Sequence, residues 1–90
     1  MFDLETTIKS GAKIIDVRTS EEFNEEHYPN ALNIPVDQIR QRLVEFGEKN
    51  GPIVLYCASG ARSAFAARML KSAGYTNVIN AGGLADLPWD

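Results

Sequence analysis

Residues 53–63 read IVLYCASGARS and give the clearest structural signal in the sequence. The first four of these residues are β-branched, aliphatic or aromatic and follow a Gly-Pro pair, which is typical of a buried strand. Small residues then lead to Arg62, and a helix is predicted from Ser63 to Ala73, with Gly74 just beyond its end. The inward face of this helix is expected to consist of Ala66, Met69, Leu70 and Ala73. The stretch therefore predicts a strand, a tight loop and a helix.

Strands and helices alternate on both sides of this stretch. Further strands are predicted at residues 14–17, 31–34 and 77–79. Thr19 and Glu22 have the spacing of a capping box, which begins a short helix that ends at Glu26. Another helix is expected after Asp37 as its N-cap, with Gly47 at its end and one face made of Ile39, Leu43 and Phe46. This order predicts a single α/β domain over residues 1–90, with a mostly parallel sheet covered by helices on both faces.

The ends of the predicted strands bring chemically active residues to one edge of the sheet. Ligands of such sheets bind beyond the carboxyl ends of the strands. The segments found there are DVR (16–18), PV (35–36), CASG (57–60) and NAGG (80–83). A carboxylate, an arginine, a cysteine and a pair of glycines are thus expected to share one rim.

Composition excludes several classes of function. The chain has 90 residues, of which 44% are hydrophobic and 23% charged, as in a globular domain. Its net charge of -3 gives no attraction to nucleic acid or to an anionic membrane surface. No apolar run approaches the roughly 20 residues that span a bilayer. The first residues, MFDLE, are acidic where a signal peptide is basic, so we expect the cytoplasm, or the periplasm if a leader has been removed.

Cys57 is the only cysteine, so it is either a small buried hydrophobe or a nucleophile. An internal disulfide is impossible, and no metal site is expected because the only histidine, His27, is far from it in the sequence. Residues 58–61 are small, and such a loop can turn its N–H groups toward one point at the start of a helix. These groups and the charge of Arg62 would stabilise a thiolate, while Gly60 supplies the unusual backbone angles. A cysteine that only packs needs none of this, so the nucleophile is favoured.

The cysteine loop and several other motifs resemble the rhodanese domains of sulfurtransferases. Cys57, four further residues, Arg62, Ser63 and a helix are similar to the active-site loop of that family. The other similar segments are DVR (16–18), EF (22–23), HYPNALNIP (27–35) and GG (82–83). The chain departs from the family pattern at Glu26, Asn30 and Leu87. Its size is similar to that of the single-domain rhodaneses of bacterial phage-shock and glycerol operons.

The resemblance implies a three-layer α/β/α fold with a mostly parallel central sheet, and a ping-pong reaction without a cofactor. Cys57 would take a sulfane sulfur from thiosulfate or another donor as a persulfide. It would pass that sulfur to cyanide or to a thiol, which includes the thiol of a thioredoxin-like protein. The substrate-binding residues would be Ala58, Ser59, Gly60, Ala61, Arg62 and Ser63.

Other rim residues are expected to have structural roles. Asp16 and Arg18 would support the rim loops through hydrogen bonds and a charge pair. Arg62 has an alternative to substrate binding, an outward ion pair with an acid on a helix. His27 is expected to stabilise a loop or lie at the surface rather than act as a base.

Two other functions stay open. One is a sulfur carrier that accepts persulfide sulfur from one protein and delivers it to another, with little turnover of small donors. The other, less favoured, is a phosphatase or arsenate reductase. Phosphatases that share this fold have five residues between cysteine and arginine, whereas this chain has four, residues 58–61. It also has Tyr56 where the phosphatase motif has a histidine.

Overall fold

Four parallel strands form the sheet of the protein in a computed structural model that describes residues 3–89. In chain order they are β1 (Lys13–Asp16), β2 (Leu32–Asn33), β3 (Ile53–Cys57) and β4 (Val78–Gly83). Their order across the sheet is β2-β1-β3-β4, and each neighbouring pair is parallel. The predicted α/β fold is confirmed. Met1, Phe2 and Asp90, which the predicted domain includes, lie outside the described residues.

Helical segments connect the strands and flank the sheet. The α-helices of the described residues are α1 (Leu4–Lys9), α2 (Ser20–Glu25) and α3 (Ala61–Ser72). The 3₁₀ segments are Val36–Gln38, Arg40–Phe46 and Leu84–Asp86. The predicted capping box begins α2, where Thr19 Oγ1 accepts the N–H of Glu22 and the Glu22 side chain accepts the N–H of Thr19. α3 begins before the predicted Ser63, because the left-handed backbone of Gly60, at φ 105°, already turns the chain into the helix.

Several predicted elements differ from the structure. The helix expected after Asp37 consists of two 3₁₀ segments, and Asp37 lies inside the first of them without capping it. The second segment is kinked at Arg42, which has φ -118° and ψ 25°. β2 is shorter than the predicted 31–34, and β4 continues through residues 80–83, which are strand residues rather than a loop beyond the strand. α1 has no counterpart in the sequence prediction, because none of its residues is buried.

β3 is buried along its whole length and separates two apolar clusters. Ile53, Leu55 and Cys57 pack in one cluster with residues of α3 and of the 3₁₀ segment Arg40–Phe46. Val54 and Tyr56 belong to the other, where α1 and the last 3₁₀ segment contribute. Successive strand residues face opposite sides, so both faces of the sheet are covered. Cys57 consequently lies on the α3 side, at the rim where β3 ends.

Candidate functional site

The thiol of Cys57 is buried beneath a short loop and accepts hydrogen bonds from it. Cys57 is the last residue of β3 and is only 1% exposed. The N–H of Gly60 donates to Sγ at 2.9 Å, and the N–H of Ser63 donates at 3.5 Å. The hydroxyl oxygen of Ser63 lies 3.4 Å from Sγ. The positive φ of Gly60 turns its N–H toward the sulfur, which is the curl that the small residues predict.

These contacts set the pKa of the Cys57 thiol. Burial raises the pKa, because the charged thiolate is separated from water. The N–H groups of Ser63, Gly60 and Ser59 lower it, because they stabilise the thiolate, and a hydrogen bond donated by the Ser63 hydroxyl would act in the same direction. The hydrogen bonds together outweigh burial, and the pKa lies below its ordinary value. The loop therefore favours a reactive thiolate.

The backbone of β4 lies directly against the cysteine loop. A Cβ on Gly83 would collide with the carbonyl oxygen of Ala58, although the φ of Gly83, -98°, is open to any residue. A Cβ on Gly60 would lie 3.4 Å from the Cα of Gly82. The glycine pair at 82–83 thus lets two backbones approach each other closely. This is the physical reason for glycine in that motif.

Asn80 of β4 connects the strand to the cysteine loop by hydrogen bonds. The sequence motifs do not identify Asn80 as a site residue. The Ser63 hydroxyl donates to Asn80 Oδ1 at 2.6 Å. The same Oδ1 accepts the N–H of Gly82 at 3.0 Å, and Asn80 Nδ2 donates to the carbonyl of Gly60 at 3.3 Å. The one sequence feature that indicates a role for Asn80 is its position in the predicted rim segment NAGG (80–83). Asn80 therefore contacts both sides of the turn around Cys57.

Asp16 and Arg18 form a buried ion pair at the end of β1. Arg18 Nη2 lies 2.7 Å from Asp16 Oδ2, and Arg18 Nε lies 3.0 Å from Oδ1. Arg18 Nη2 also donates to the carbonyl of Glu26 at 2.6 Å, and Asn33 Nδ2 donates to the carbonyls of Asp16 and Arg18. These hydrogen bonds join three segments of the rim. None of these hydrogen bonds involves Cys57, so the Asp16–Arg18 pair stabilises the conformation of the rim segments.

Arg62 forms an ion pair with a residue of α2. Its Nη1 and Nη2 lie 2.8 and 3.1 Å from the two carboxylate oxygens of Glu22, which is the outward ion pair considered above as an alternative. The hydrogen bond from Arg62 lowers the pKa of Glu22 to about 2, with a further contribution from the N–H of Thr19. The pKa of Arg62 is raised first by its hydrogen bond to Glu22 and, less strongly, by the charge of Cys57. Arg62 thus acts on the cysteine through its charge rather than through a direct hydrogen bond.

His27 lies apart from the cysteine loop. Its Nδ1 is 2.8 Å from the carbonyl oxygen of Phe23 and donates to it, because a carbonyl only accepts. Its ring stacks on Phe23 with the centroids 3.8 Å apart. The exposed histidine therefore stabilises the end of α2.

Residues 3–89 contain no group of three or more His, Cys, Asp or Glu side chains that could hold a metal ion. None of the helices in this part of the chain is long and apolar enough to cross a bilayer. The compartment of the protein stays a prediction from the sequence.

Proteins with a similar sequence are known. The rhodanese-like domain model matches residues 3–86. The thiosulfate sulfurtransferase PspE of Escherichia coli (strain K12) is 40% identical over 74 residues, which cover 81% of this chain and 71% of PspE. YrkF of Bacillus subtilis (strain 168), whose name describes a candidate sulfur carrier protein, is 42% identical over 67 residues. That match covers 74% of this chain but 36% of YrkF.

Solved rhodanese structures have the same fold. A rhodanese with anions from E. coli superimposes with a TM-score of 0.80 at 38% identity, covering 87% of this chain and 95% of that one. A human single-domain sulfurtransferase has a TM-score of 0.82 at 31% identity, covering 89% of this chain and 83% of that one. Since the family model also spans residues 3–86, the chain belongs to the rhodanese-like domain family.

Proposed function

We propose that the protein is a sulfurtransferase. It carries a sulfane sulfur from thiosulfate or a persulfide donor to cyanide or a thiol, as a persulfide on Cys57. One observation carries the proposal: the buried Sγ of Cys57 accepts the Gly60 N–H at 2.9 Å inside a loop of four residues, 58–61. So small a loop suits one sulfur atom bonded to the cysteine better than it suits a tetrahedral oxyanion. Relatives that are named sulfurtransferases support the same class of reaction.

The proposed reaction consists of two displacements and needs no external oxidant or reductant. In the first, the Cys57 thiolate attacks the outer sulfur of thiosulfate. A new S–S bond forms, and the S–S bond of the donor breaks with its electron pair leaving on sulfite. In the second, cyanide or a thiolate attacks the terminal sulfur of the persulfide, and the electron pair of the Cys57 S–S bond returns to Sγ. The N–H groups of Gly60 and Ser63 stabilise the thiolate that begins and ends this cycle.

The remaining residues of the loop are proposed to bind the donor. Ala58, Ser59 and Ala61 have small side chains, so an anionic donor would meet backbone N–H groups above Cys57. Arg62 would contribute positive charge, although it shares that charge with Glu22. The buried Asp16–Arg18 pair would keep the neighbouring rim segment in place.

A sulfur carrier is the second candidate function. Two surface cavities of residues 3–89 are lined by residues outside the cysteine loop, one beside Tyr28 and Trp89 and the other beside Leu43 and Phe65. Neither of these two cavities includes Cys57. The relative YrkF, whose name describes a candidate sulfur carrier protein, is the observation that favours this candidate.

Two measurements on the purified protein separate the candidates. A steady-state assay with thiosulfate and cyanide measures turnover, and the intact mass after donor treatment detects the gain of one sulfur atom. Turnover with a sulfur adduct supports the sulfurtransferase. An adduct with negligible turnover supports the carrier, and hydrolysis of a phosphate ester without an adduct overturns both.

A further inference from the structure

Ser63 has one hydroxyl proton, and four possible acceptors lie within 3.4 Å of its oxygen. Its Oγ lies 2.6 Å from Oδ1 of Asn80 and 3.4 Å from Sγ of Cys57. The carbonyl oxygens of Gly60 and Gly82 are farther than Asn80, at 3.2 and 3.4 Å. Ser63 is fully buried, so these groups are its immediate partners. The shortest and best hydrogen bond is the one to Asn80, which therefore takes the proton.

The orientation of the Asn80 amide follows from its backbone partners. The N–H of Gly82, which only donates, lies 3.0 Å from Oδ1. The carbonyl of Gly60, which only accepts, lies 3.3 Å from Nδ2. A flipped amide would lose both hydrogen bonds. Oδ1 consequently faces Ser63, and because a carbonyl oxygen cannot donate, the proton between the two belongs to Ser63.

With its proton on Asn80, Ser63 turns its lone pairs toward Cys57. Those lone pairs can accept the S–H of a thiol, but they give no stabilisation to a thiolate. The hydroxyl can donate to a thiolate only by giving up its bond to Asn80. We propose that Asn80 is a positioning residue that holds the Ser63 proton away from Cys57 Sγ and so favours the thiol over the thiolate. The inference rests on the proposed function, in which the thiolate is the nucleophile.

Charged groups around the site stay the same in the test. Those on the surrounding elements are Arg62 of α3 with its partner Glu22 of α2, the Asp16–Arg18 pair at the end of β1, and Asp86. Asn80 is neutral, and its replacement by alanine removes no charge. A change in the titration of Cys57 would thus report the hydrogen bonds of Ser63 rather than a new electrostatic field.

The experiment measures how the rate of Cys57 alkylation by iodoacetamide depends on pH. In Asn80→Ala the Ser63 hydroxyl can donate to the charged Sγ, a stronger acceptor than the neutral Gly60 carbonyl 3.2 Å away, so the midpoint should fall by about 0.5 to 1 pH unit. A loosened loop would act in the opposite direction, because Gly60 N–H would move away from the sulfur. Asn77→Ala is the matched control, since Asn77 precedes β4 and its side chain forms no hydrogen bond with the described residues. It should keep the wild-type midpoint.

A double variant isolates the part played by Ser63. Ser63→Ala removes the acceptor that favours the thiol, so it should not raise the midpoint, and adding Asn80→Ala to it should cause no further fall. A raised or unchanged midpoint in Asn80→Ala, or an equal fall without Ser63, overturns the proposal. Asn80→Leu, which keeps the approximate shape of the side chain, replaces Asn80→Ala if circular dichroism shows that the latter is unfolded. Alkylation uses no sulfur donor, so this result is independent of whether thiosulfate is turned over.

Discussion

The guanidinium of Arg62 lies 2.8 and 3.1 Å from the two carboxylate oxygens of Glu22, which joins the start of α3 to the first turn of α2. A two-point pair of this kind is the strongest geometry between arginine and a carboxylate. Glu22 is also held by Thr19 through the capping box. The arginine of the cysteine loop is therefore already partnered, and Glu22 limits the charge that Arg62 offers to a donor.

Replacing Glu22 and replacing Arg62 should change the KM for an anionic donor in opposite directions. Glu22→Gln frees the charge of Arg62, so the KM for thiosulfate should fall by about two- to fivefold, as expected for losing a partly exposed ion pair. Arg62→Ala should raise this KM. Both effects should shrink in high salt and should be weak with a neutral persulfide donor, which serves as the control. Wild-type kinetics in Arg62→Ala would assign that residue a structural role alone.

Glu22 should also make stability depend on pH in acid. Its pKa is about 2 in the folded protein against an ordinary value of 4.5, so its contribution is complete above pH 4.5 and is lost as the pH falls toward 2. Because the pair is partly exposed, Glu22→Gln should lower the free energy of unfolding at neutral pH by only about 0.5–1 kcal/mol. Urea denaturation at a series of pH values measures this. The difference between the two proteins should narrow in acid, and a difference that widens there would contradict the assignment.

Cys57→Ser should abolish sulfur transfer and leave the fold intact. Serine keeps the size and the hydrogen bonds of the site, but its oxygen is not a soft, readily ionised nucleophile and cannot form a persulfide. Turnover of thiosulfate and the sulfur adduct in the intact mass should both disappear, while circular dichroism stays that of the wild type. Substantial remaining turnover would exclude Cys57 as the nucleophile.

The loaded protein should hold its sulfur until an acceptor arrives. With one cysteine in the chain, no second thiol can attack the persulfide and form an internal disulfide. A time course of intact mass should show a lasting adduct without acceptor and a stoichiometric loss once cyanide or a dithiol is added. Rapid loss without acceptor, and without a covalent dimer, would mean that the loop of residues 58–61 does not protect the persulfide.

Gly83→Ala tests the close approach of β4 to the cysteine loop. The added methyl group would collide with the carbonyl oxygen of Ala58, and relieving the collision should cost about 1–3 kcal/mol of stability. Because that carbonyl belongs to the loop, the rate of Cys57 alkylation should change as well. Gly51→Ala is the control: a Cβ there would lie 3.4 Å from the Glu48 carbonyl oxygen, an ordinary contact. Equal effects of the two substitutions would argue against a special approach at Gly83.

The alternation of strands and helices and the cysteine loop could be predicted because local sequence determines both. Buried β-branched runs identify β1 and β3, and the small residues 58–61 specify a loop that curls above the sulfur. The 3₁₀ form of residues 40–46 could not be predicted, because apolar residues three and four apart fit the first turns of either helix type. Contacts between residues far apart in the sequence could not be predicted either. Glu22 meets Arg62 and Asn80 meets Ser63 only once the strands are in order.

Neighbouring residues of β3 face opposite sides of the sheet. The position of the Cys57 thiol beneath its loop therefore depends on the register of this one strand. The hydroxyl of Tyr56 accepts the N–H of Tyr28 at 3.0 Å on one side, while Cys57 faces α3 on the other. Residues 53–57 are all apolar or aromatic, so a deletion or insertion of one residue there would leave the strand as hydrophobic as before. It would nonetheless turn the thiol toward α1 and place a different side chain beneath the loop. Variants of this domain that stay active should therefore differ in β3 by substitutions. A change in the length of β3 should leave a protein that folds but has lost its activity.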